Sequence, residues 1–246
     1  MTFVFPTILG HRGARAVKTE NTLEAFRYAC QSGVKWVELD AMLSKDSIAM
    51  VFHDETLERM TGKTGRLDEL TAEQLQKLVL KPTGIIPTLA EVLDVLNEFD
   101  SRVNIEIKPS RPELARETAR KIWSVVCEKG FDNPDRLIFS SFAWDALEET
   151  AVLAPQIRRG VLVGKKSDDW RPAAKKIKAY SINYDADLLS PELIAEIKNG
   201  GYCLMVYTVN DPDQAKRLRN AGIESFFCDD PVAMMKALAR INGAGQ

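Results

Sequence analysis

Short apolar runs of five to nine residues recur along this chain, each followed by a segment with helix patterning, and this alternation constrains the fold more than any other feature. The runs are "TILGH", "KWVELDAML", "RVNIEIK", "RLIFSSF", "RRGVLVG", "AYSINYDA", "CLMVYTVN" and "ESFFCDD", eight in all. Most are apolar without strict alternation, as strands covered on both faces are. Helix start signals follow them. Asn21 stands three residues before Glu24, Thr88 before Glu91, and Ser110 before Glu113, the spacing of capping boxes. "SPEL", "DPDQ" and "DPVA" each place a cap residue before a proline at the first helical position. Leu89, Val92, Leu93 and Leu96 follow the i, i+3, i+4, i+7 pattern of an amphipathic helix. Eight βα units in 246 residues predict a TIM (β/α)8 barrel, a fold that typically needs about 250. An open doubly wound sheet is the alternative, but no Gly-rich phosphate loop marks one.

One unit is oversized. Between the second run and the helix opening at Thr88 lies a stretch at about 45–87, with a further β-like run "SIAMVFHD", a turn-rich "TGKTGRLDEL" and a short helix near "TAEQLQKL". Loops this long carry function or structure of their own. The expectation is one catalytic barrel domain over 1–246 with this insertion in its second βα connection, at the top of the barrel. The tail at 242–246 is expected to fray, and the first six residues to lead into the first strand.

Bulk properties narrow the function. The net charge of −2 gives no long-range attraction to nucleic acid or an anionic membrane. No apolar run approaches the roughly 20 residues of a membrane span. The start lacks the basic n-region of a signal peptide. The four cysteines lie far apart in apolar patterns, which predicts buried reduced thiols and a cytoplasmic protein. No Cys/His spacing suggests zinc.

The active site of a TIM barrel lies at the C-terminal ends of its strands. Strand one here ends in His11 and Arg12, strand two carries Glu38 and Asp40, and strand three Glu106 and Lys108. His53 and Asp54 lie in the insertion, which can fold back over the same mouth. Residues i and i+2 of a strand share a face, so Glu38 with Asp40, and Glu106 with Lys108, can enter one pocket. Three carboxylates together disfavour their charged forms unless a cation joins them. An all-oxygen set suits a hard ion, magnesium or calcium. Arg12 and Lys108 add the positive charge of a phosphoryl clamp. Both histidines of the chain fall beside this acidic cluster.

These residues carry a resemblance. "HRG…ENT", "ELD", "HDETLERMTGKTG" and "EIK", with "IPTLAEVL", "SSF" and "VYTVN" later, closely resemble the glycerophosphodiester phosphodiesterase family. The resemblance implies a TIM barrel, one divalent cation, and hydrolysis of small glycerophosphodiesters to sn-glycerol 3-phosphate and an alcohol. By position it implies His11 and His53 as the acid/base pair, and Glu38, Asp40 and Glu106 as metal ligands. Arg12 and Lys108 become phosphate contacts, and Glu20 of "ENT" a supporting residue at the substrate site. Thr19 stands where the family usually has proline, Ser47 where it often has glycine, and Tyr207 where it usually has tryptophan. The last change bears on the pocket wall. The motif segments hold no aromatic cluster for a choline cage, so loose recognition of the alcohol half is expected.

Rival readings differ in what they require. A sphingomyelinase-D-like phospholipase calls for secretion, disulfides and an apolar membrane edge. A non-catalytic glycerophosphodiester-binding module would have lost a histidine or a metal ligand. A glycosidase with paired carboxylates needs neither the two histidines nor the Lys/Arg set.

Overall fold

The computed structural model describes residues 7–165, 168–223 and 225–243. The lead-in at 1–6, Glu224 of the last run and the end of the tail, 244–246, lie outside the described residues. Every apolar run named above becomes a strand, and so does the β-like run of the insertion: β1 Ile8–Gly10, β2 Trp36–Leu43, β3 Ala49–Val51, β4 Arg102–Ile107, β5 Leu137–Ser141, β6 Arg158–Val163, β7 Ser181–Asp185, β8 Cys203–Tyr207 and β9 Ser225–Cys228. The helices are α1 Leu23–Gln31, α2 Glu58–Thr61, α3 Ala72–Gln76, α4 Leu89–Glu98, α5 Ala115–Glu128, α6 Trp144–Leu153, α7 Trp170–Lys176, α8 Pro191–Asn199, α9 Pro212–Asn220 and α10 Pro231–Gly243. The helix α10 takes in the first residues of the tail.

Eight strands pair in parallel, and the sheet closes because β1 pairs with both β9 (Gly10 opposite Cys228) and β2 (Gly10 opposite Val37). This is the TIM barrel. The ninth strand, β3, lies outside it, antiparallel to β2. The strand period of two divides each barrel strand between shell and interior. Val37, Leu39, Ala41 and Leu43 of β2 join the large core shared with the surrounding helices. On the other face, Trp36 packs inside the barrel with Leu9, Ile138, Met205 and Phe227. Farther along the same face, Met42 joins a separate core formed by the insertion with Met50, Phe52, Leu57, Leu67 and Leu75. One face of one strand therefore plugs the barrel, presents Glu38 and Asp40 at the mouth, and anchors the insertion.

The interior is not wholly apolar. Asn104 Nδ2 donates to Ser140 Oγ (2.8 Å) and Ser181 Oγ donates to Asn183 Oδ1 (2.7 Å). Gly160 makes room for the second pair, since a Cβ there would come within 2.7 Å of Ser181 Oγ.

Most helix starts follow the sequence signals. Thr88 and Glu91 form a full capping box, and Thr71 with Gln74 forms another in the insertion. Ser190 and Asp211 cap helices that open with proline, and Asp230 Oδ1 accepts from the Ala233 N–H. Two expectations are corrected. The cap of α1 is Thr22, because Asn21 has turned into the left-handed region (φ 56°) to reach Asp40. After β4, Ser110 caps nothing, since a 3-10 turn at Pro112–Leu114 leads into α5. The thiols are also less uniform than expected. Cys30 and Cys228 are buried, Cys203 is half-buried and Cys127 is exposed; none of the four is in a disulfide. Among the described residues no helix is long and apolar enough to cross a membrane.

Candidate active site

Strand register assembles the acidic cluster. Asp40 of β2 lies opposite Glu106 of β4, and both point into the mouth. Glu38, Asp40 and Glu106 each present an oxygen within 4.8 Å of the other two, and this is the one such group of metal-ligating side chains among the described residues. Lys108 Nζ lies 3.5 Å from Asp40 and 3.6 Å from Glu106. The Arg12 guanidinium lies 3.3 Å from Asp40, and the Arg12 backbone N–H donates to Glu38 (2.9 Å).

Burial and crowding act on these groups in a way that reveals their chemistry. Burial pushes the Glu38 carboxyl well up, and the neighbouring Asp40 and Glu106 charges push it further. Glu106 rises to about 7, driven by burial and the Asp40 charge against the pull of Lys108. Asp40 is buried too, yet Lys108 and Arg12 hold it down to about 2. Such a set can discharge its strain by taking up protons or by taking up a cation.

The turn after β1 explains how His11 and Arg12 reach the site. Gly10 cannot carry a side chain, since a Cβ would lie 2.1 Å from the Gly13 carbonyl oxygen. Arg12 adopts the left-handed region (φ 51°) and Gly13 follows it (φ 87°). This tight turn brings His11 Nε2 to 3.9 Å from Glu38 and its Nδ1 to 2.7 Å from Asp229. Burial lowers the His11 pKa, against the opposing hydrogen bond that its ring donates to Asp229.

His53 arrives from the other side. The β3 pairing places Val51 opposite Ala41, and the Phe52 N–H donates to the Asp40 carbonyl. His53 Nδ1 lies 2.6 Å from Asp54. Its pKa is lowered too, by burial and by the Lys108 and Arg12 charges, although Asp40 raises it.

All eight residues singled out in the sequence come together around this mouth. Glu20 stands behind Arg12, as a supporting residue would. Arg12 reaches one of its oxygens (2.7 Å), and Arg59 takes both (2.6 and 2.9 Å). These guanidinium partners outweigh burial and hold Glu20 at about 2. It anchors Arg12.

Four residues that hold the side chains of this mouth in place escaped the sequence reading. Asp229, just beyond β9, holds His11, and Asn210 donates to its other oxygen (2.9 Å). Asn21 Nδ2 donates to Asp40 (2.9 Å). Arg59 ties Asp54 (2.5 Å) to Glu20. Asp229 did leave a signal: it stands at a strand end like the others, and closure of the barrel puts the last strand beside the first. Asn210 lay within "VYTVN" but had no strand-end carboxylate to flag it. Ser47 occupies the left-handed region (φ 60°), which accounts for glycine being the favoured residue at that turn.

Comparison with known proteins agrees with this geometry. The glycerophosphoryl diester phosphodiesterase family matches residues 11–233. The chain is similar to a glycerophosphodiester phosphodiesterase of Caldanaerobacter subterraneus, 31% identical over 243 residues, covering 95% of this chain and 98% of that one. It is also similar to a solved Oleispira antarctica phosphodiesterase in complex with the product sn-glycerol-3-phosphate (TM-score 0.89, 31% identity, 95% of this chain and 97% of that one). A Thermotoga maritima glycerophosphodiester phosphodiesterase superposes with a TM-score of 0.77 at 30% identity, covering 94% and 98%. With a barrel of this topology, a mouth of this composition and matches over nearly its whole length, the chain belongs to the glycerophosphoryl diester phosphodiesterase family.

Proposed function

We propose that this protein is an enzyme that hydrolyses glycerophosphodiesters such as glycerophosphocholine and glycerophosphoethanolamine to sn-glycerol 3-phosphate and an alcohol. The observation that carries the reading is the pair of histidines, each held by an aspartate, brought to one buried carboxylate cluster. The product bound by the Oleispira relative supports the glycerol-phosphate end of the substrate. The barrel and its insertion at 45–87 act as one catalytic domain, in cytoplasmic glycerol and phospholipid metabolism.

The donor set fits a hard divalent cation, because Glu38 and Glu106 resist ionising beside Asp40 without one. Glu38, Asp40 and Glu106 would hold magnesium or calcium, which when bound supplies charge neutralisation at the phosphoryl oxygens. Arg12 and Lys108 hold the phosphoryl group beside these ligands and stabilise the charge that builds on it. One histidine, neutral, takes a proton on Nε2 from the attacking oxygen, that of water or of a glycerol hydroxyl whose cyclic phosphate water then opens, while the other, as imidazolium, gives its Nε2 proton to the departing alkoxide. Asp229 and Asp54 hold the two rings by Nδ1, which leaves each Nε2 free for the transfer.

The test is release of glycerol 3-phosphate from glycerophosphocholine before and after chelation. Chelation abolishes it, magnesium or calcium restores it better than zinc, and the chelated protein stays folded. Full activity after exhaustive chelation, with no metal by elemental analysis, would sink the cation assignment. Turnover of sphingomyelin instead would favour the phospholipase, and specific binding without turnover the non-catalytic module.

A further inference from the structure

The turn after β1 carries a second cation, Arg15, which takes no part in the carboxylate cluster. Its backbone is pinned where the barrel closes. Its neighbour Ala14 is fully buried, and the Ala16 N–H donates to the carbonyl oxygen of Asp229 (3.0 Å). This sets the Arg15 side chain between two carboxylates of the mouth, with Nε 3.8 Å from Asp229 Oδ1 and 3.7 Å from Glu20 Oε2. Both oxygens also serve the histidine arms. Asp229 Oδ1 is the one that holds the His11 ring (2.7 Å), and Glu20 Oε2 is one that Arg59 holds (2.9 Å). Arg59 in turn holds Asp54, and Asp54 the His53 ring.

From ring to ring the contacts run His11, Asp229, Arg15, Glu20, Arg59, Asp54, His53, with carboxylates and guanidiniums alternating between the imidazoles. Every link except the two at Arg15 is a hydrogen bond. Arg12 reaches Glu20 as well, but among the described residues Arg15 is the one cationic side chain within ion-pairing reach of both Glu20 and Asp229. Its two contacts are too long for hydrogen bonds, and 33% of the side chain is exposed. Ion pairs of this kind add little to stability. They act on charge at a distance instead. Burial works against the Asp229 charge, and His11, Asn210 and Arg15 together keep its carboxyl below the usual carboxylate range. Coulomb attraction falls off slowly with separation, so a cation equidistant from two carboxylates resists the withdrawal of either.

We propose that Arg15 is a positioning residue that couples the two histidine arms by holding Asp229 and Glu20 at a fixed separation. This rests on the hydrolysis proposed above, in which both rings must meet one phosphoryl group at once. Without Arg15 each ring keeps its own aspartate, but the two aspartates lose their common register. Arg15 pairs with none of the three carboxylates of the cluster among the described residues, so its effect falls on turnover and not on substrate binding.

Arg15→Gln tests the coupling in two ways. Its kcat on glycerophosphocholine should fall by about fivefold, the upper end for a partly exposed ion pair, with KM within about twofold of wild type and Tm unchanged. A raised KM with kcat intact would make Arg15 a substrate contact, and a kcat within about twofold of wild type would deny it a part in turnover; either overturns the inference. The second readout needs no turnover. The chain has two histidines, so their ring nitrogen resonances are assigned by removing one imidazole at a time. Asp54→Asn alters the His53 arm and should also shift the His11 resonances. It should cease to do so when combined with Arg15→Gln. His11 resonances that stay put in Asp54→Asn, or that shift equally with and without Arg15, overturn the coupling. If the wild type hydrolyses no glycerophosphodiester, the proposed function falls, and the resonances still decide whether Arg15 joins the two arms.

Discussion

The two histidines reach one mouth by different routes, and the difference shows how the site is held. His11 sits at the end of a barrel strand with 12% of its side chain exposed, and its partner Asp229 comes from the last strand and is itself held by Asn210. His53 stands on the insertion with 32% exposed, and its partner is its own neighbour, Asp54. The first arm is fixed by barrel closure. The second is fixed by Arg59, which bridges Asp54 to Glu20 and through Glu20 to Arg12. A rigid arm thus faces an arm whose position depends on one half-exposed guanidinium and a small separate core.

The strongest way to break the comparison is to remove each imidazole. His11→Ala and His53→Ala should each lower kcat by about 10²–10⁴-fold with little change in stability, and the double variant should lose less than the product of the two. A p-nitrophenyl phosphodiester, whose leaving group needs little protonation, should rescue only the variant lacking the acid. Near-wild-type kcat in both variants on glycerophosphodiesters would make the histidines structural.

A smaller effect separates the two partners. Asp229→Asn removes the charge that supports His11 and should lower kcat about 10–100-fold, as loss of a group that orients an imidazole does. It should also move the His11-dependent limb of the pH profile to lower pH, since Asp229 raises the His11 pKa. Asp54→Asn should cost less than about tenfold, because solvent reaches His53 and screens the loss. Equal losses and unshifted profiles in both variants would mean that the two arms are equivalent.

The smallest effect is on stability, and it has opposite signs on the two sides. In the metal-free protein Glu106 is raised from 4.5 to about 7, so its contribution is fully present below 4.5 and is lost as pH rises through about 7. Glu20, on the Arg59 side, is lowered from 4.5 to about 2, so its contribution is present above 4.5 and lost as pH falls through about 2. The Tm of the metal-free protein should therefore peak in mild acid and fall on either side. Saturating magnesium or calcium should abolish the fall toward neutral pH, because the ion keeps Glu38 and Glu106 deprotonated. A Tm that rises steadily from pH 5 to 8 without metal would contradict the crowding of the carboxylates.

The sequence revealed the barrel almost completely, because both its signals are local. Strand runs and proline-bearing helix starts are read within a few residues, and the i, i+2 spacing already placed Glu38 with Asp40. What it hid depends on contacts between distant segments or on backbone conformation. Asp229 acquires its meaning from the pairing of β9 with β1. Asn21 looks like a cap until its left-handed turn sends it to Asp40. Arg15 looks like a surface cation until barrel closure sets Asp229 beside it.

Closure between β1 and β9 also sets the order in which the enzyme comes alive on the ribosome. His11 and Asp229 are 218 residues apart, so at about 5–20 residues per second the second emerges some 10–40 s after the first. The nascent chain carries Glu38, Asp40, Glu106 and both histidines long before His11 has anything to hold it. The support of His11 is thus among the last contacts of the site that synthesis makes available.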